Sequence, residues 1–181
     1  WNWTFHVGAC TGFLVEKDVI ATNSHCIPKF LIQRLKNKED TSVCKSYIGV
    51  TFEDNETHFC SEILSATEMR GFNPDTHEVD FFEPDLAYIR LDRPSTSAPF
   101  RLNHTGMPDK LRVRALKVDP NLDRKAGKLV VRDCSVSGDN AVVPANHNER
   151  SAAATMLGCD IIQGNSGSPV VDEGGFVRGI Y

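Results

Sequence analysis

Short apolar runs, several with a two-residue rhythm and each followed by polar turn residues, recur along this chain, and few architectures accept that pattern. The runs are Phe13-Leu14-Val15, Val19-Ile20-Ala21, Tyr47-Ile48-Gly49-Val50, Leu86-Ala87-Tyr88-Ile89-Arg90-Leu91, Leu111-Arg112-Val113-Arg114-Ala115-Leu116, Lys128-Leu129-Val130-Val131 and Pro169-Val170-Val171. Alternation puts every second side chain on one face of a strand, so that face can be buried. Between the runs stand the turn signals Glu16-Lys17-Asp18, Asn73-Pro74-Asp75, Ser137-Gly138-Asp139-Asn140 and Asp172-Glu173-Gly174-Gly175. Many short strands with polar turns predict an all-β barrel or sandwich rather than a parallel α/β sheet. One stretch, Cys26 to Leu35, instead spaces Ile27, Phe30, Leu31 and Leu35 as a helix does. Ser151 to Met156 fits either a helix or a strand. The composition of Arg93-Pro94-Ser95-Thr96-Ser97-Ala98-Pro99 is that of a linker, and it divides the chain into two parts of roughly domain size.

A chain of 181 residues with a formal charge of −4 has a core to bury but lacks the basic balance that nucleic acid calls for. No apolar run approaches the roughly 20 residues of a membrane span. The chain opens on Trp1, which is expected to follow a removed signal or pro-segment. Its cysteines, Cys10, Cys26, Cys44, Cys60, Cys134 and Cys159, are even in number, and none sits in the C-x-x-C spacing of a zinc site. Oxidised in pairs, they place the protein outside the reducing cytosol, secreted or periplasmic. The bland alternative is a set of buried free thiols.

Three groups have the residue types for nucleophilic chemistry. Gly164-Asn165-Ser166-Gly167-Ser168-Pro169 sets a serine between glycines. A serine hydroxyl becomes a useful nucleophile when a tight turn exposes it, backbone N–H groups converge beside it and a base takes its proton. His25 follows the run Val19-Ile20-Ala21 and precedes the helical stretch, a rigid support for a base. The competing role is a histidine satisfied at the rim of a core. Asp85 stands at the mouth of the run Leu86–Leu91, where a carboxylate needs a partner that an imidazole N–H can supply. The competing role is a turn-initiating aspartate after Pro84, with Asp80 and Glu83 as nearby rivals.

Together, Thr22-Asn23-Ser24-His25-Cys26, then Asp85-Leu86-Ala87-Tyr88-Ile89-Arg90-Leu91, then Gly164-Asn165-Ser166-Gly167-Ser168-Pro169 resemble the trypsin/chymotrypsin-type serine peptidases, in their His, Asp, Ser order. An esterase of α/β-hydrolase type runs Ser, Asp, His, and is disfavoured by that order. The serine motif is closest in style to bacterial secreted trypsin-like and glutamyl-endopeptidase-like members. The resemblance implies two packed antiparallel six-stranded β-barrels, the second incomplete at its C-terminal end because strand and helix usually follow the segment that closes on Tyr181. The barrels are expected over residues 1–95, with His25 and Asp85, and 108–181, with Ser166, joined by a linker at 96–107.

The resemblance also implies roles. Ser166 attacks a peptide carbonyl, His25 is its base and then its acid, Asp85 orients the imidazole, and the N–H groups of Gly164 and Ser166 form the oxyanion hole. Asp160 falls at the pocket base that selects a basic residue in trypsin-like members, with Ile161, Ile162 and Gln163 lining the pocket; Ile161 departs from the small polar residue of glutamyl-specific relatives. The competing role for Asp160 is a bond to nearby backbone. The implied disulfides are Cys10–Cys26 and Cys134–Cys159, with Cys44–Cys60 the pair that remains. Neither metal nor organic cofactor is implied, and the partner is a protein or peptide substrate. Asn165 is neutral where digestive members carry an aspartate that pairs with a new N-terminus, so activation is expected to proceed without that ion pair. The alternative function is a catalytically inactive homologue that binds proteins or peptides.

Overall fold

The computed structural model describes residues 2–5, 8–52, 56–67, 72–73, 78–79, 85–103, 112–119, 128–142, 152–157 and 164–180. The first sheet contains β1 (Asn2–Phe5), β2 (Gly8–Thr11), β3 (Phe13–Leu14), β4 (Val19–Thr22), β5 (Gly49–Thr51), β6 (Thr57–Ala66) and β9 (Ala87–Leu91), in the order β2-β1-β5-β6-β9-β4-β3. β7 (Phe72–Asn73) and β8 (Glu78–Val79) form a separate hairpin. The two edge strands of the first sheet, β2 and β3, are separated in the chain by Gly12 alone. A sheet whose edges are joined by one residue has to curl until they meet. The same break accounts for seven strands where six were expected: one strand direction is interrupted at Gly12 and counted on both edges.

The interior of this curl is the main core. All four residues of β4 are buried, and Ala87, Ile89 and Leu91 point inward from β9. Ile20, Ala87, Ile89 and Leu91 meet Leu14, Ile63, Val50, Phe52 and Ile48 there, while Ala21 faces the second sheet. The Cys44–Cys60 disulfide crosses this core, both cysteines fully buried, and closing a loop of 16 residues contributes about 3 kcal/mol in the chain-entropy picture. In β6 the buried positions alternate through His58 and Cys60, then resume at Ile63 after a register shift between Cys60 and Glu62. A bulge adds one residue and so changes the phase of the alternation.

The helix is shorter than its spacing predicts. α1 spans Lys29–Lys36, because Pro28 holds Ile27 in an extended conformation. Leu31 and Ile32 are buried and Leu35 is partly so, whereas Phe30, expected on the apolar face, is 44% exposed and packs edge-on against Tyr47. Tyr47, expected in a strand, lies in a turn.

The second sheet contains β10 (Arg101–Leu102), β11 (Arg112–Asp119), β12 (Lys128–Val142), β13 (Ala152–Leu157), β14 (Pro169–Asp172) and β15 (Phe176–Ile180), in the order β10-β15-β14-β11-β12-β13. Its six strands match the expected number. One local expectation is corrected and one open choice is settled. Ser137–Asn140 is not a turn between strands but an irregularity inside β12, with the register shifting between Ser137 and Ala141. Residues 152–157 form a strand, since pairing with β12 outweighs the helical preference of alanine. β10, which falls within residues 96–107, pairs parallel with β15, whereas the other pairings of this sheet are antiparallel. Phe13 and Ala21 of the first sheet pack on Val171 and Val177 of the second, with Phe100 edge-on to Phe13, and this apolar contact joins the two sheets.

Asp172 closes the β14–β15 hairpin: its carboxylate accepts from the Phe176 N–H at 3.0 Å and from Arg178 Nε at 2.7 Å. The Phe176 N–H, followed by the Arg178 guanidinium, holds this carboxyl below the usual carboxylate range, against the opposing effect of burial. A depressed folded value gives stability that is present above the unfolded value, about pH 4, and is lost as pH falls through the folded one. Asp172→Asn is therefore expected to be less stable than the parent at neutral pH, with the gap closing in acid. Thermal melts of both proteins from neutral pH down to about pH 2.5 check this.

Candidate active site

The β4–β9 register decides which residues meet. Thr22 pairs with Ala87, so the chain leaving β4 at Asn23-Ser24-His25 lies beside the chain entering β9 at Asp85-Leu86. Residues Ser24–Cys26 form one 3-10 turn, which presents His25 at the rim. Four hydrogen bonds bind the two segments. The His25 ring bonds through Nδ1 to Asp85 Oδ2. The His25 N–H donates to Asp85 Oδ1 at 3.0 Å, Asn23 Nδ2 to the Asp85 carbonyl at 2.7 Å, and Ser24 Oγ to the Leu86 carbonyl at 2.8 Å. Both carboxylate oxygens thus face one histidine. An ionised carboxylate only accepts, so it keeps the proton on Nδ1 and leaves Nε2 as the basic atom. The His25 side chain is 51% exposed and that of Asp85 16%, which suits an imidazole open to a ligand above a sheltered carboxylate.

The Gly164–Ser168 loop is seated on the other side of this corner by Thr11. The Thr11 N–H donates to the Ser166 carbonyl at 2.7 Å, and Thr11 Oγ1 donates to the Gly164 carbonyl at 2.8 Å. Thr22 Oγ1 in turn donates to the Thr11 carbonyl at 2.7 Å. Gly164 and Gly167 take positive φ values of 96° and 88°. A Cβ on Gly167 would lie 1.9 Å from the Thr11 carbonyl oxygen and 2.5 Å from Thr22 Oγ1, so no side chain fits there. The Cys10–Cys26 disulfide ties the neighbour of Thr11 to the neighbour of His25. Strand end, disulfide and loop therefore bring Ser166 to the edge that carries His25. Among the described residues no hydrogen bond joins the His25 ring to the Ser166 hydroxyl, and neither the Gly164 nor the Ser166 N–H donates one. Two unengaged amides beside a part-buried serine can receive an oxyanion.

The sulfurs of Cys10 and Cys26 and a ring nitrogen of His25 lie within 4.8 Å of one another, but the sulfurs are bonded to each other and offer no thiolate to a metal ion. Cys134 is buried and disulfide-bonded. Cys159, the pocket residues Asp160, Ile161, Ile162 and Gln163, and the rival acids Asp80 and Glu83 lie outside the described residues. No described helix is long and apolar enough to cross a membrane. Thr22, Asn23 and Ser24 entered the sequence reading only as parts of the His25 motif, with no role of their own, and Thr11 did not enter it. The available signal was polar residues of hydrogen-bonding type directly beside Cys10 and His25.

The family profile Trypsin matches residues 1–181. No curated protein matches. Among solved structures, the Rv3671c protease of M. tuberculosis in an inactive form is 14% identical at a TM-score of 0.64, over 99% of this chain and 74% of that one. Deg5 is 17% identical at 0.60, over 99% and 76%, and a Glu endopeptidase in complex with MPD is 18% identical at 0.60, over 99% and 75%. Identities this low establish a shared fold, here the chymotrypsin-like one with incomplete barrels. The profile match extends over every described residue, the His25–Asp85 pair and the Ser166 loop included, and on it the chain belongs to the trypsin family.

Proposed function

We propose that this protein is a serine endopeptidase whose triad is Ser166, His25 and Asp85. The observation that carries the proposal is the bonding of both Asp85 carboxylate oxygens to His25, on the edge where Thr11 seats the Ser166 loop. In the proposed reaction His25 Nε2 takes the Ser166 hydroxyl proton as Oγ attacks the peptide carbonyl. The oxyanion rests on the Gly164 and Ser166 N–H groups. Collapse expels the amine with the proton from His25, and water then repeats the sequence on the acyl-enzyme. Asp85 holds the tautomer and stabilises the imidazolium.

We assign residues 1–95 to the barrel with His25 and Asp85, 108–181 to the barrel with Ser166, and 96–107 to the connection. Asp160 with Ile161, Ile162 and Gln163 is assigned to the pocket for the residue before the scissile bond. The disulfides support a secreted or periplasmic location. Asp85→Asn is expected to lower kcat by about 10⁴-fold, through loss of the tautomer rather than of the fold, which steady-state kinetics with a parallel thermal melt checks.

A second reading, an inactive homologue that binds peptides, draws on the absence of a His25–Ser166 hydrogen bond; serine–base contacts in ligand-free enzymes are often long and tighten only with substrate. Cleavage of a peptide library, with and without prior treatment by a fluorophosphonate, separates the two. Cleavage that the reagent abolishes supports the peptidase; peptide binding without cleavage overturns it.

A further inference from the structure

We propose that Thr11 is a positioning residue for the oxyanion site, acting from the first sheet on a loop of the second. The inference rests on the peptidase reading for its catalytic meaning, and on contacts for its geometry. Thr11 is fully buried and uses each of its polar groups in a different direction. Its N–H holds the Ser166 carbonyl and its hydroxyl the Gly164 carbonyl, while its own carbonyl accepts from Thr22. The segment Gly164-Asn165-Ser166 is therefore gripped at both ends by one residue, with Asn165 buried between them.

The hydroxyl is the part with a distinct task. Gly164 sits at φ 96°, and a glycine has no Cβ to restrain rotation about its own bonds. Its N–H is one of the two donors assigned to the oxyanion, and holding its carbonyl fixes the Gly164–Asn165 peptide plane, which removes one of the two rotations about the Gly164 Cα that would swing that N–H. The hydroxyl supplies that hold, from a position reached across 153 residues of sequence, and at full burial no water takes its place. The backbone bond to Ser166 holds the Ser166–Gly167 peptide plane, beyond the other donor, and leaves Gly164 free to turn. Thr22 keeps the Thr11 carbonyl occupied, so the Thr11 backbone stays in place when only its hydroxyl is removed.

Thr11→Val keeps the branched shape and removes the donor, while Thr11→Ser keeps the donor. In the full-length protein, Thr11→Val is expected to lower kcat about 10²-fold with KM within about 3-fold, as loss of one oxyanion donor does. Affinity for a peptide boronate, which mimics the tetrahedral adduct, should fall in parallel. Thr11→Ser should recover all but about 5-fold of kcat. Independently of activity, the ¹H–¹⁵N resonances of the Gly164 and Ser166 amides should move in Thr11→Val and return in Thr11→Ser. A Thr11→Val protein with the parent melting curve, kcat within about 2-fold of the parent and unmoved amide resonances overturns the proposal. If the parent itself hydrolyses nothing, the peptidase reading fails, and the amide resonances alone decide whether Thr11 sets the loop.

Discussion

Ser166→Ala is expected to reduce peptide hydrolysis by about 10⁶-fold, the scale seen when a triad nucleophile is removed, and to leave folding intact. The two halves of this expectation have separate causes. The hydroxyl makes no hydrogen bond among the described residues, so its loss orphans no partner. What the fold uses at this position is backbone: the Ser166 carbonyl accepts from the Thr11 N–H, and alanine keeps that bond. The variant should therefore melt with the parent and still bind peptides uncleaved. Retention of more than about 1% of activity contradicts the assignment of the nucleophile.

Gly167→Ala should act in the opposite way, on structure first. The new Cβ would stand 1.9 Å from the Thr11 carbonyl oxygen, a backbone atom held by Thr22, at a φ of 88° that alanine resists. Neither side can yield without releasing the loop from the first sheet. Lost seating bonds and a left-handed alanine together are expected to cost about 3 kcal/mol, and activity should fall at least about 10³-fold as Ser166 leaves the His25 edge. Gly175 provides the control: its φ is 79°, yet a Cβ there meets nothing within 4 Å. Gly175→Ala should show the backbone penalty alone, about 1 kcal/mol, with kcat unchanged. Thermal melts and kinetics on the two variants separate conformational strain from close approach; equal effects would mean that the Gly167 contact with Thr11 and Thr22 carries no weight.

Much of this architecture was legible in the chain, and what was not has physical reasons. Val19–Ala21 announces a strand as a short continuous apolar run buried on both faces, and Leu86–Leu91 does so through an alternation unbroken from Ala87 to Leu91. β6 went unread because its bulge after Cys60 changes the phase of the pattern in mid-strand. Ser137–Asn140 has turn composition for a related cause: a bulge and a turn ask for the same small polar residues. Phe30 follows the helical spacing but faces out, since Pro28 rather than the apolar rhythm sets where the helix begins. At the site, His25, Asp85 and Ser166 stand in motifs whose order carries information. The side chains of Thr11, Asn23 and Ser24 bond to long-range partners, and no local pattern encodes a partner that is 62 or 153 residues away.

The acyl-enzyme offers the most direct test of the triad. The protein is mixed with an activated ester that deacylates slowly, quenched, digested and mapped by mass spectrometry. The account predicts one acyl group, on Ser166, formed at least about 10³-fold more slowly after His25→Ala. No adduct, an adduct on another side chain, or one whose rate of formation is indifferent to His25 would contradict it.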